Sequence, residues 1–340
     1  MSTLTPSYLH PRLGTMRQLA AIRRFVSDDG KGRGMRVFEV NNGSGLSFTV
    51  YPDRGMDIGP AFYKGTPLAW LSRNGETAPQ FYDASGFEWL RTWGGGLLTG
   101  CGLANVGGPN TTSDGSHGLH GRLSHIPAEE VNTTENWTDK GSYVLSIGGR
   151  VRHSKVFGEN LVVTRRIETA LGEATITIRD TVENQGFAPS PFMLLYHMNL
   201  GWPLVDDGAV LETSPHAVTP QTPHAAAGLA DWPRISAPIP GFNEQVFYHT
   251  LPAEDAQGLA SISLVNRKLG LAFKVAYRTA ELPYLIQWKM MGQGEYVVGL
   301  EPANCYPEGQ DKMAQQGLLR HLEPGEKIET LVKVTIEETA

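Results

Sequence analysis

Residues 161–186, LVVTRRIETALGEATITIRDTVENQG, carry two runs of β-branched side chains around a turn at Leu171, Gly172 and Glu173. In the second run Ala174, Ile176, Ile178 and Val182 alternate with Thr175, Thr177, Arg179 and Thr181. Successive side chains of a strand point to opposite faces, so a period of two predicts a half-buried antiparallel hairpin.

The same reading applies to MRVFEVNNG, LSFTVYPD, TPLAWLS, SYVLSIGGRV, SPFMLLYHMN, ASISLVN, LAFKVAYR, PYLIQWKM, EYVVGLEP and KIETLVKVTIE. Only PQFYDASGFEWLRTW and QDKMAQQGLLRHL suit short helices, and both contain glycine. Thirty-nine glycines and 22 prolines among 340 residues are spread along the chain, which implies many short elements joined by turns. The expected fold is all-β: two large stacked antiparallel sheets with a few short helices, in a single domain over 1–340. No repeat of 20 to 50 residues is visible, which disfavours a propeller. The stretch from about 207 to 243, broken by Pro215, Pro220, Pro223, Pro233, Pro238 and Pro240, reads as a loop-rich excursion over a sheet.

Twenty-nine Lys and Arg against 35 Asp and Glu give a formal charge of −6, without a run of like charges. That excludes the electrostatic footprint of a nucleic-acid or anionic-membrane binder. Neither a signal-peptide pattern nor a continuous apolar span is present, so a soluble cytoplasmic protein, monomeric or homodimeric, is expected. Cys101 and Cys305 form no CxxC pair and read as ordinary thiols.

Two strands end in groups that an apolar stripe does not call for. In SPFMLLYHMNLGWP, Met193, Leu195, His197 and Asn199 share one face. In GEYVVGLEPANC, Val297, Gly299 and Glu301 share one, and Pro302 holds Glu301 extended. Desolvation at such a position raises a carboxyl pKa toward the range useful for general base work. Taken alone, His197 reads equally as a hydrogen-bonded core histidine, and Glu301 equally as half of an ion pair at the sheet rim.

GLHGRLSH, with His117 just before it, gathers three imidazoles and a guanidinium between residues 117 and 125. Zinc ligands ordinarily come with a cysteine or carboxylate at helix or hairpin spacing, so His117, His120 and His125 are a poor metal set and none is expected. If the loop enters a strand at Gly121, His120 and Arg122 point to one side. Arg122 then offers a fork suited to a carboxylate, phosphate or vicinal diol. Arg54, between Asp53 and Asp57 in YPDRGMDIG, reads first as a rim salt bridge and second as a substrate contact. Trp288 is as much a core tryptophan as a stacking platform for a sugar face.

The order CGLANVGGPN, GLHGR, the hairpin with its LLYHMNLG strand, and IQWKMMGQGEYVVGLEPAN resembles the aldose 1-epimerase (galactose mutarotase) superfamily. PDRGMDIG is similar to a segment of its DUF4432-like bacterial branch. The resemblance runs through most of the chain and implies the β-supersandwich of that superfamily. It also implies an isomerase interconverting the anomers of a monosaccharide, with His197 as general acid, Glu301 as general base and His120 assisting at the substrate. Such chemistry needs acid and base on the two sides of the anomeric centre, and neither metal nor cofactor. Asn105 matches the superfamily's loop asparagine, but Val106 stands where that loop has an arginine, which leaves Arg122 and Arg54 as substitutes and a sugar acid as a candidate substrate. Glu244 in GFNEQVFYH stands for an aspartate that binds sugar hydroxyls.

Other readings stay open, because one fold hosts many chemistries. A polysaccharide lyase would need a tyrosine or histidine base and a long cleft; a hydrolase would need two carboxylates. A non-catalytic carbohydrate-binding protein would not require both His197 and Glu301.

Overall fold

A computed structural model of the chain describes residues 4–214, 216–250 and 253–339. Two antiparallel sheets stack on a shared apolar core. The larger, of twelve strands, runs in the order Ala21–Val26, Arg36–Asn41, Leu46–Tyr51, Asp57–Tyr63, Leu98–Leu103, Ser190–Leu200, Tyr296–Ala303, Tyr284–Met291, Gln245–His249 and Val218–Pro220, with Thr66–Pro67 and Arg320–Leu322 pairing beside it. The smaller, of eight strands, runs Val210–Thr213, Leu259–Asn266, Leu271–Arg278, Lys327–Glu338, Thr175–Asn184, Asn160–Ala170, Tyr143–Ser154 and Glu129–Trp137. A separate ribbon pairs Asn110–Thr112 with Gly115–His117. This is the expected all-β sandwich with a few short helices.

The hairpin of residues 161–186 forms with Ile167 opposite Ile178 and sends Ile176, Ile178 and Val182 into the core. Its alternation skips one inward position, and Asp180 fills it. Arg165, directly across the ladder, meets that carboxylate with Nε at 2.9 Å and Nη2 at 2.7 Å, both side chains fully buried. The Tyr196 hydroxyl, from the other sheet, donates to Asp180 Oδ2 at 2.6 Å. The polar network thus ties the sheets together with its partners satisfied, as a buried charge pair requires.

The strand Ser190–Leu200 is buried on both faces because each face meets a different cluster. Leu194, Tyr196, Met198 and Leu200 enter the core between the sheets, while Met193 and Leu195 join a second cluster on the outer face of the large sheet. Trp70, Trp89 and Trp93 cover that outer face together with Met313. The three-glycine run after Trp93 makes this cover possible: Gly96 has φ +103°, and a side chain there would collide with Ile58 O. The chain therefore turns directly from the tryptophan arm into the central strand Leu98–Leu103.

Three elements differ from the sequence expectation. TPLAWLS is a strand only at Thr66–Pro67 and thereafter makes isolated bridges at Ala69 and Leu71. PQFYDASGFEWLRTW divides into 3₁₀ turns at Pro79–Phe81 and Glu88–Arg91 on either side of Ser85-Gly86, whereas QDKMAQQGLLRHL does form the expected short helix, over Gln310–Gln315. The 207–243 excursion supplies an edge strand to each sheet, Val210–Thr213 to the smaller and Val218–Pro220 to the larger, with Pro220 tolerated at the edge. No described helix is long and apolar enough to cross a membrane.

Candidate active site

The register of two adjacent strands brings His197 and Glu301 together. Leu195 pairs with Ala303 and Met198 with Leu300, which sets His197 beside Glu301 on the outer face of the large sheet. His197 Nε2 lies 3.2 Å from Glu301 Oε1. Both residues are nearly closed off, at 4% and 2% exposure, so neither is a solvated rim group.

The pair has little polar support. Among the described residues no hydrogen bond reaches either Glu301 oxygen, and Glu301 Oε1 and His197 Nδ1 are buried without a partner. Burial, followed by the charge of Glu244, holds the Glu301 carboxyl well above the usual range. Burial, followed by His120, holds the His197 imidazole well below its own. No guanidinium or ammonium offsets either shift by bonding to the pair. Together they favour a pair that holds one proton over a pair that holds two or none.

Aromatic rings wall the site. The Trp93 ring lies 5.3 Å and the Trp288 ring 5.4 Å from the His197 ring, both edge-on, and Trp70 packs against Trp93 at 5.1 Å with the rings tilted. Trp93 is held by its Nε1–H donating to Thr99 Oγ1 at 3.0 Å, and Thr99 is the ladder partner of His197. Trp288 donates Nε1–H to Glu244 Oε2 at 2.7 Å, so the exposed Glu244 belongs to this rim. Such a wall presents apolar faces suited to the C–H side of a sugar ring.

His120 completes the cluster, 5.8 Å from the His197 ring and 5.0 Å from Trp89. Its Nδ1 accepts the Gly107 N–H at 3.4 Å, so in the neutral ring Nε2 carries the proton and remains free to donate. Burial lowers its pKa to about 4, which keeps the ring neutral near pH 7. The loop that delivers it is left-handed at His120 (φ +55°) and Gly121 (φ +72°), and Gly121 bridges to Gly102 in parallel fashion.

That twist separates His120 from Arg122. Arg122 is exposed and lines a different cavity, of about 800 Å³, with His117, Arg152, Lys155 and Glu159; none of His120, His197 and Glu301 lines it. The expectation that His120 and Arg122 share a side fails because Gly121 is not in an extended conformation. His125 turns inward, bonded to Thr92 Oγ1 at 2.9 Å, and His117 bonds to Thr112 at 3.1 Å, so the three imidazoles of the loop point to three places.

Arg54 is buried, not at the rim, and donates to Thr77 O at 2.7 Å while Nη2 lies 3.3 Å from His125 Nε2. Asn105 is also buried and spent on the loop: its amide donates to Gly118 O at 2.8 Å and its oxygen accepts from Asn110 and Gln310 N. The sequence reading missed the tryptophan arm 70–93, whose signal was WLRTWGGG: two tryptophans four positions apart before a glycine run.

Comparisons with known proteins agree with the fold. Residues 32–336 match the family model described as domain of unknown function DUF4432. None of the curated proteins matches the sequence. Among solved structures, a candidate aldose 1-epimerase from Klebsiella pneumoniae superposes with TM-score 0.88 at 24% identity, covering 95% of this chain and 86% of its own. A galactose mutarotase-like protein from Clostridium acetobutylicum gives 0.65 at 13% identity, covering 95% and 100%. Galactose 1-epimerase from Lactobacillus acidophilus gives 0.60 at 13% identity, covering 94% and 100%.

Proposed function

The chain belongs to the DUF4432 family, and from that premise and the geometry of its site we propose that it is an aldose 1-epimerase-like isomerase acting on a neutral monosaccharide. One observation carries the reading: a buried imidazole and carboxyl 3.2 Å apart, walled by indole rings. The pair stands side by side and not on the two sides of the anomeric centre as expected, but the hydroxyl oxygen and the ring oxygen of a cyclic sugar sit on the same anomeric carbon, so two neighbouring groups can address both. Glu301 takes the proton of the anomeric hydroxyl while His197 gives one to the ring oxygen, and the bond from the anomeric carbon to that oxygen breaks. Rotation about C1–C2 and return of both protons close the other anomer. One proton enters the pair and one leaves, so a pair holding a single shared proton serves both directions.

His120 Nε2–H supports the substrate as a neutral donor, with Trp288, Trp93 and Glu244 as the binding rim. The charge acting on Glu301 is that of Glu244, and no guanidinium or ammonium bonds to the pair. This environment disfavours a sugar acid, and the earlier case for one rested on Arg122 and Arg54. The structural likenesses to the Klebsiella pneumoniae and Lactobacillus acidophilus proteins support the reading at the level of fold.

Proton exchange NMR across a panel of neutral and acidic monosaccharides tests it. Wild type is expected to accelerate anomer interconversion of at least one neutral sugar, with His197→Asn and Glu301→Gln near the uncatalysed rate. A sugar that binds without exchanging faster would favour a carbohydrate-binding protein instead.

A further inference from the structure

Asn199 lies two residues beyond His197 on the same strand and is fully buried. Its Nδ2 donates to Gly96 O at 2.9 Å and to the His197 carbonyl at 3.0 Å. Those two acceptors fix the amide orientation, since the flipped amide would set oxygen against two carbonyl oxygens. The carboxamide oxygen is therefore Oδ1, an acceptor, and it is buried with no donor. His197 Nδ1, from the same stretch of strand, is buried with no partner either.

Two complementary orphans at neighbouring positions of one face call for each other, because a buried polar group left unpaired loses its hydration without replacement. We propose that Asn199 is the positioning residue of the site: its Oδ1 accepts the Nδ1–H of His197 and so reserves Nε2 for proton exchange with Glu301 and the substrate. The carboxamide also opposes the burial that depresses the imidazole. With Nδ1 permanently protonated, Nε2 is either a bare lone pair facing a protonated Glu301 or the second N–H of an imidazolium facing a carboxylate. Both states keep the Asn199 bond, so the proton moves on the Glu301 side alone. The consequence for catalysis rests on the reading of His197 and Glu301 as the acid and base; the tautomer itself does not.

Nitrogen-15 NMR of histidine-labelled protein without sugar tests the tautomer, with the His197 signal assigned by its loss in His197→Gln. The expected result is a protonated Nδ1. A bare Nδ1 with a protonated Nε2 overturns the proposal, whether or not the protein turns over a sugar, and needs no Asn199 variant to fold. In Asn199→Leu the proton is expected to leave Nδ1, and kcat to fall by at least roughly tenfold with KM within about twofold. An unchanged tautomer and kcat in that variant would also overturn it. A protonated Nδ1 in a protein that accelerates no sugar would sink the isomerase reading and leave the positioning intact.

Discussion

His197 Nε2 stands 3.2 Å from Glu301 Oε1 across one rung of the large sheet, yet no aligned hydrogen bond joins them. Arg165 and Asp180, the other buried pair, are bidentate and further bonded by Tyr196. The contrast separates a pair built to hold still from one whose proton is left mobile.

Removing either member of the mobile pair should therefore abolish the same step. His197→Asn and Glu301→Gln are each expected to lower kcat/KM for anomer interconversion by about 10²–10⁴. The double variant should be no slower than the slower single, since groups that act as a unit are not additive. Saturation-transfer NMR on the responsive sugar gives all four rates, and multiplicative losses would show independent roles.

The pH profile follows from the direction of the two shifts. Glu301 is raised, so the pair keeps its proton as pH rises; His197 is lowered, so the pair resists a second proton as pH falls. Both shifts thus act in one sense, to keep the pair singly protonated. The expected kcat profile is flat through the pH at which a free histidine titrates. An inflection near that of a free histidine would contradict the assignment.

The strands that carry the pair were legible because alternation survives on both faces of Ser190–Leu200 and Tyr296–Ala303, where polar residues interrupt apolar stripes. The strand between them and the tryptophan arm, Leu98–Leu103, was not. Its glycines at 100 and 102 imitate a loop, although Gly102 is needed where a side chain would collide with Met193 O. Arg122 misled for a related reason: a two-residue spacing means one face only when the residue between is extended, and Gly121 is left-handed. The pairing of His197 with Glu301, 104 positions apart by 301 minus 197, depends on long-range register, which no local pattern encodes.

Gly299 is the ladder partner of Trp288 and shares a strand face with Glu301. A Cβ built there would overlap Glu301 Oε1 and come within 3.0 Å of Trp288 Cβ. Gly299→Ala should displace the carboxyl while leaving the strand paired. The expected outcome is a kcat loss of roughly tenfold or more with the fold retained by circular dichroism. Full activity would mean that the carboxyl position seen here is not the working one.

Arg122 and Trp288 discriminate between the Arg122-lined cavity and the tryptophan-walled site. Trp288→Ala should raise KM for a neutral sugar by roughly tenfold, since it removes a stacking face and frees Glu244. Arg122→Ala should leave both kcat and KM within about twofold, because Arg122 lines the other cavity. A large effect of Arg122→Ala on KM would restore the anionic-substrate reading.

Stability should concentrate at Arg165 and Asp180. Asp180→Asn keeps the shape but strands a fully buried guanidinium, which still has the Gly55 carbonyl at 3.2 Å and loses its counter-charge. Breaking such a pair costs about 3–5 kcal/mol, against about 1.5–3 for a hydrogen bond to a charged group, so Tyr196→Phe should cost less than Asp180→Asn. Urea denaturation of the two variants beside wild type measures this. The expected order is wild type, Tyr196→Phe, then Asp180→Asn. Equal midpoints for Asp180→Asn and wild type would mean that the charge pair is not what clamps the sheets. The active-site pair behaves in the opposite sense: neither member has a full set of partners to lose, so Glu301→Gln should leave the midpoint unchanged or raise it while activity falls.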